Sequence, residues 1–226
     1  MIRSSQLALV TIALALCAAG CRTTAQARRV EKKGFLRDYS QLKEGKGNEP
    51  LLFYVKPNVD LSKYDKMLVA PVSLWRKEKD SALDSLSEEN RQYLLESFNK
   101  ALRDHLSKRW TIVEKPGRGV LEIRAAITEA VGSTVVMDQV TTIVPQTAIL
   151  TTVVGVPLGK AAFTGSAAAE IEIRDSRTRE RLFAGVDKRV GRKHLSGVFE
   201  TWSHVVDSFG VWAEDIREKL DEYRKA

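Results

Sequence analysis

The chain has two cysteines, Cys17 and Cys21, and its N-terminus withdraws both from folding. Arg3 precedes an apolar run from Leu7 to Leu16, and small residues lead on into Ala18-Ala19-Gly20-Cys21. A run of about ten residues is too short to span a ~30 Å hydrocarbon core as a helix, which takes roughly 20. A positive start, a short apolar centre and a small-residue junction describe a cleaved export signal. The last four residues read as a lipobox, the site at which a cysteine receives lipid and becomes the new N-terminus. On this reading residues 1–20 are removed as signal peptide and lipid consumes Cys21. The mature chain can then form no disulfide and offers no thiol nucleophile, so its fold must rest on a hydrophobic core. Two alternatives remain: Ala25-Gln26-Ala27 is a competing small-x-small cleavage site farther from the apolar run, and Cys17 is a second candidate for lipid, with bulky Leu16 beside it where a small residue is needed.

The predicted compartment limits the partners. Arg22 follows the cysteine where Asp would favour inner-membrane retention, so the expected place is the cell outer membrane, lipid-anchored and facing the periplasm. The formal net charge is +7, and only Arg3 of the signal contributes to it. A basic balance can serve nucleic acid, but the compartment argues against that partner. A basic surface near anionic lipid fits better. Residues 21–33 read as a lipidated cysteine with a flexible tether, of which 22–33 reach at most about 40 Å when extended. Arg28, Arg29, Lys32 and Lys33 in this stretch either face lipid headgroups or keep the tether soluble.

Residues 34–226 are expected to form a single α+β domain. The near-continuous apolar run from Lys66 to Trp75 reads as a buried strand that Pro71 ends or bends. Ser85-Leu86-Ser87-Glu88 suggests a capping box. A helix follows, with Leu94, Leu95, Phe98, Ala101, Leu102 and Leu106 on one face. Leu121, Ile123, Ala125 and Ile127 alternate with Glu122, Arg124, Ala126 and Thr128. Ala167, Ala169, Ile171 and Ile173 alternate with Glu170, Glu172 and Arg174. Period two predicts strands with one wet face. A third strand, 181–190, pairs as a hairpin across Asp175–Glu180. A closing helix spans about Thr201 to Lys225. The expected architecture is a mostly antiparallel sheet with two long amphipathic helices on one face, plus an uncharged inserted segment at 139–159. That segment reads as a buried crossover, a partner or oligomer contact, or a membrane contact.

No catalytic constellation, cofactor loop or metal-ligand spacing emerges. His105, His194 and His204 fall in no ligand pattern. No serine sits in a GxSxG elbow, and Gly117-Arg118-Gly119 reads as a turn. No cofactor is expected, and the chain is not read as an enzyme. The densest basic cluster is Lys188, Arg189, Arg192 and Lys193, with His194 beside it. It is a candidate partner or anion contact, for an envelope protein or peptidoglycan carboxylates, or else a solvated strand end. Cys21 is the lipidation site and the membrane contact.

Two stretches carry a likeness. They are Gly34-Phe35-Leu36-Arg37-Asp38-Tyr39-Ser40-Gln41-Leu42, and the run through Tyr54-Val55, Pro57, Leu61–Lys66 and Pro71-Val72. With Asp175-Ser176 and the Trp-rich closing helix, they resemble a family of Gram-negative lipoproteins that shares a domain of unknown function. The resemblance spans about 34–224. It implies a lipoprotein with one domain and brings no activity or site residues. The expected role is a non-enzymatic binding or envelope-support module at the outer membrane. The alternative is a subunit of an oligomeric secretion or transport assembly that uses 139–159 for contact. The oligomeric state is not set by the sequence.

Overall fold

The structure, a computed structural model, describes residues 24–47, 49–77, 82–133, 165–191 and 201–225. The inserted segment 139–159, Cys21 and residues 192–200 lie outside them. The strands are β1 (Thr24–Gln26), β2 (Lys43–Glu44), β3 (Leu52–Val55), β4 (Lys66–Val69), β5 (Ser73–Leu74), β6 (Thr111–Val113), β7 (Val120–Val131), β8 (Ser166–Asp175) and β9 (Arg181–Gly191). The helices are α1 (Glu88–Leu106) and α2 (Ser203–Lys225).

All nine described strands join one sheet in the order β2-β3-β9-β8-β7-β4-β6. β1 lies beside β9 past the end of β3, and β5 lies beside β7 past the end of β4. The sheet is mixed. β4 runs parallel to both β6 and β7, and β5 runs parallel to β7, whereas β8 is antiparallel to β7 and β9. This overturns the expected mostly antiparallel sheet with two long amphipathic helices on one face. The reason is connectivity. A strand that returns beside an earlier one after a helical crossover runs parallel to it, and α1 is such a crossover between β4 and β6.

α1 starts at Ser87, whose hydroxyl accepts from Asn90 N, so the cap is Ser87 rather than Ser85. Leu94, Phe98, Leu102 and Leu106 recur every fourth residue and are all buried. Phe98 stacks on Phe209 of α2 at a centroid distance of 4.6 Å. Trp202 Nε1 donates to Asn90 Oδ1 and ties the approach to α2 to α1. The helices share one hydrophobic core with the apolar positions of β4, β7 and β8. Each large side chain so buried contributes roughly 1.5–3 kcal/mol.

The other face of the sheet is not wet. A second apolar cluster of Phe35, Leu36, Ala126, Ala184 and Val186 covers it, with Tyr39, Leu42, Leu52 and Tyr54 at its margin. The arm between β1 and β3 therefore lies across the strands. Glu170, on this face, is completely buried. It accepts from Lys33 N at 2.5 Å, Leu36 N at 3.1 Å and Tyr39 Oη at 2.5 Å. Gly34 adopts φ +102°, which a side chain would disfavour, and this bend lets the amides of Lys33 and Leu36 both reach the carboxylate while Gly34 N donates to Tyr39 Oη. Arg181 grips the arm by donating to Leu36 O, Asp38 O and Glu172. Burial, and then the Glu170 carboxylate, push the Tyr39 phenol well above its ordinary pKa.

The segment expected to be a tether is also different from that expectation. Thr24–Gln26 pairs with Gly191–Arg189 as β1, and Ala27 N donates to Lys188 O. Only Arg22 and Thr23 separate Cys21 from the sheet in sequence.

Glu170→Ala strips three donors of their acceptor. It should cost at least about 3 kcal/mol: each lost bond to the charge is worth ~1.5–3 kcal/mol, partly offset because a buried carboxylate no longer has to be desolvated. Hydrogen exchange should show the amides of residues 33–39 losing protection before those of α1.

Candidate functional site

Because β3 and β2 continue the sheet beyond β9, α2 does not cover the whole edge. A cavity of about 250 Å³ opens there, between the second half of α2 and the strands β3, β8 and β9. Phe53, Ile171, Ile173, Phe183, Ile216 and Leu220 give it apolar walls. The loop Lys46–Pro50 and the helix residues Asp215, Glu218, Lys219 and Glu222 form its rim. Gly185 lets the rim close in, since a Cβ there would lie 3.0 Å from Pro50 Cγ.

One polar cluster interrupts the apolar lining. Asp187 sits on the helix-facing side of β9 and is 5% exposed. Its Oδ1 accepts from Gln26 Nε2 at 2.7 Å and Leu51 N at 3.2 Å, and its Oδ2 accepts from Trp212 Nε1 at 2.7 Å. It thus joins β1, the approach to β3, β9 and α2. Burial raises the Asp187 pKa above the ordinary 3.8, against the opposing pull of Trp212, Gln26, Leu51 and Arg189. At the rim, Lys219 bonds Glu49 and Glu222, both at 3.2 Å, and lies over the Phe53 ring. Burial works against its charge, but these two carboxylates prevail and raise its pKa.

The predicted basic cluster divides. Lys188 and Arg189 are neighbours on a strand and point to opposite faces. Lys188 pairs with Glu129 at 2.7 Å on the arm face. Arg189 is buried on the cavity side and donates to Thr24 Oγ1 at 2.9 Å and to Thr24 O. Arg192, Lys193, His194 and Cys21 lie outside the described residues. His105 is half-buried near the end of α1, and burial lowers its pKa. His204 is buried near the start of α2. Among the described residues no group of three or more His, Cys, Asp and Glu side chains could hold a metal ion. No described helix is long and apolar enough to cross a membrane.

Sequence reasoning missed Asp187 and its partners Gln26 and Trp212. A signal was available. Asp187 follows Phe183 and Gly185 at strand spacing, so it puts an acid on an inward position.

A family model described as "Protein of unknown function (DUF3313)" matches residues 31–216. The chain belongs to that family. The DUF3313 match takes in the arm that wraps Glu170, every strand from β2 to β9, and α2 as far as Ile216. No curated protein matches the chain. Among solved structures it is similar to the PelC dodecamer from Paraburkholderia phytofirmans, with 12% identity and a TM-score of 0.38 over 73% of this chain and 94% of that one. It is also similar to a neuraminyllactose-binding hemagglutinin homolog from Helicobacter pylori, with 9% identity and a TM-score of 0.37 over 76% and 95%. At these scores neither likeness bears on function.

A carboxyl whose folded pKa exceeds its unfolded value binds protons more tightly when folded. Its contribution then favours the fold at low pH and is lost as pH rises through the interval between the two values. Asp187→Asn removes this titration. In thermal denaturation across the acid range, the stability of the wild type relative to Asp187→Asn should fall as pH rises past the ordinary value of 3.8. A constant difference between the two proteins would refute the assignment.

Proposed function

We propose that this protein is a lipid-anchored outer-membrane lipoprotein facing the periplasm, and that it acts as a non-enzymatic binding module. Its binding site is the cavity between α2 and β3, and the ligand or partner presents an apolar group to it. The observation that carries this reading is the coupling of anchor strand to cavity. Gln26 of β1, five residues after Cys21, donates directly to Asp187 at the cavity wall. Apolar walls with a few fixed polar groups are the usual make-up of a small-ligand or side-chain pocket. The polar groups here are engaged in structure. Asp187 accepts three hydrogen bonds and Arg189 donates to Thr24, which suits a rigid receptor better than an acid, base or nucleophile. Three acyl chains on Cys21 would make the attachment effectively permanent, since two membrane signals already suffice for stable anchoring.

Cys21→Ala should move the protein from the membrane fraction to the soluble periplasmic fraction, and an unchanged distribution would refute the anchor. Binding is tested separately in living cells, with a photo-crosslinking residue at Glu218 on the rim and a control at exposed Gln92 on α1. A discrete adduct is expected at 218 and not at 92. Ile216→Trp, which narrows the cavity from its half-buried wall, should abolish that adduct. Equal capture at both positions, or capture that survives Ile216→Trp, would count against the cavity as the binding site.

A further inference from the structure

We propose that the arm-covered face of the domain docks on an anionic phospholipid surface through Arg28, Arg29, Lys32 and Lys77, with Trp75 at headgroup level. The proposal rests on the anchoring at Cys21 argued above and goes beyond it, because a tether alone would leave the domain free to turn.

The basic residues are held in place. β1 pairs with β9, Ala27 N donates to Lys188 O, and Lys33 N donates to Glu170, so residues 27–33 are strapped over the sheet at both ends. Arg28, Arg29 and Lys32 are exposed along this strap. Among the described residues, Arg28, Arg29 and Lys77 make no ion pair. The one acid of the strap, Glu31, is engaged by Lys33. The Lys33 bond and charge lower the Glu31 pKa, and the charges of Lys188 and Lys77 add to that effect.

Trp75 belongs to the same patch. Its indole N–H donates to Lys33 O, its ring meets Phe35 edge-on at 5.6 Å, and it is 38% exposed. Among the described residues only Tyr93 is another exposed large hydrophobic side chain. A tryptophan among cations suits a lipid surface, where the ring rests between headgroups and acyl chains while the cations meet phosphates. The reach is short as well. Six residues separate Cys21 from Arg28, at most about 25 Å of extended chain. The same bilayer that takes the lipid can therefore meet the patch. Each Lys or Arg at an anionic surface strengthens binding by roughly fivefold, falling off within a Debye length. Docking this face directs the helices and the cavity away from the bilayer.

The test uses the full lipidated protein in phosphatidylcholine vesicles, with or without phosphatidylglycerol, each containing lipids brominated along the acyl chain. Trp75→Phe run in parallel isolates the emission of Trp75. In the anionic vesicles that emission should fall by about twofold relative to neutral ones, and about 0.5 M salt should restore it by screening. The combined Arg28→Glu, Arg29→Glu, Lys32→Glu, Lys77→Glu protein should stay on the vesicles through its lipid but show no quenching. A milder set of Gln substitutions at the same positions should give a partial loss, and circular dichroism checks that both variants are folded. Equal Trp75 emission in both vesicle types, with the protein still floating with them, overturns the docking and leaves the anchor standing. It is also the outcome expected if the patch serves an acidic protein. A protein that floats with neither vesicle overturns anchor and docking together.

Discussion

The Glu170 carboxylate holds the architecture together. An unpaired carboxylate with no exposure to water would be prohibitively costly. Here it is met by two backbone amides and the Tyr39 hydroxyl, all from a segment more than 130 residues earlier in the chain. The demand runs both ways. The sheet face tolerates Glu170 only when the arm covers it, and the arm follows its bent path only because the carboxylate collects its donors. Gly34, at φ +102°, supplies the turn that brings Lys33 N and Leu36 N to one acceptor, and Arg37, at φ +62°, turns the chain on toward Tyr39. The stretch from Gly34 to Tyr39 is thus a clamp built around a distant acid.

The same covered face hosts a chain of opposite charges along β7, β8 and β9. Arg174 meets Glu122 through two hydrogen bonds, at 2.8 and 3.0 Å, with both side chains buried. Glu172 accepts from Arg124 and Arg181, and Arg181 continues to the arm carbonyls. Such pairs rarely add much net stability, but removing either partner is expensive. They hold the register between neighbouring strands and between sheet and arm, which an apolar face would specify less sharply. On the opposite face Asp187 does similar work around the cavity. It binds β1 to α2, so the strand next to the predicted lipid site and the helix that walls the cavity share one acceptor.

Strands and helices were legible where side-chain period tracks burial. The stripe Leu94–Phe98–Leu102–Leu106 and the alternation at 167–173 identify α1 and β8 without any tertiary information. The alternation misled in one respect. Glu122, Glu170, Glu172 and Arg174 occupy the face opposite the helical core and look solvated, yet all are buried. Charge at alternate positions reports which residues share a face, not whether water reaches it. The mixed sheet escaped for a related reason. Strand direction depends on where a crossover returns the chain, and the short β4, β5 and β6 carry no local mark of parallel pairing. The run Lys188–Lys193 looked like one basic patch, but strand geometry sends Lys188 to Glu129 and Arg189 to Thr24.

By itself the sequence determined the two helical stripes, the long alternating strands and membership of the family, and it raised the expectation of an export-type N-terminus lipidated at Cys21. These are properties of short windows, set by composition, spacing and local chirality. Only the tertiary structure decided that residues 24–26 form a strand, that the arm shields a second face, that Asp187 and Trp212 meet beside a cavity, and that Trp75 joins the basic strap. Each of these depends on desolvation. A charge or ring is buried or exposed according to which distant segment packs over it, and no local pattern of residues encodes that contact.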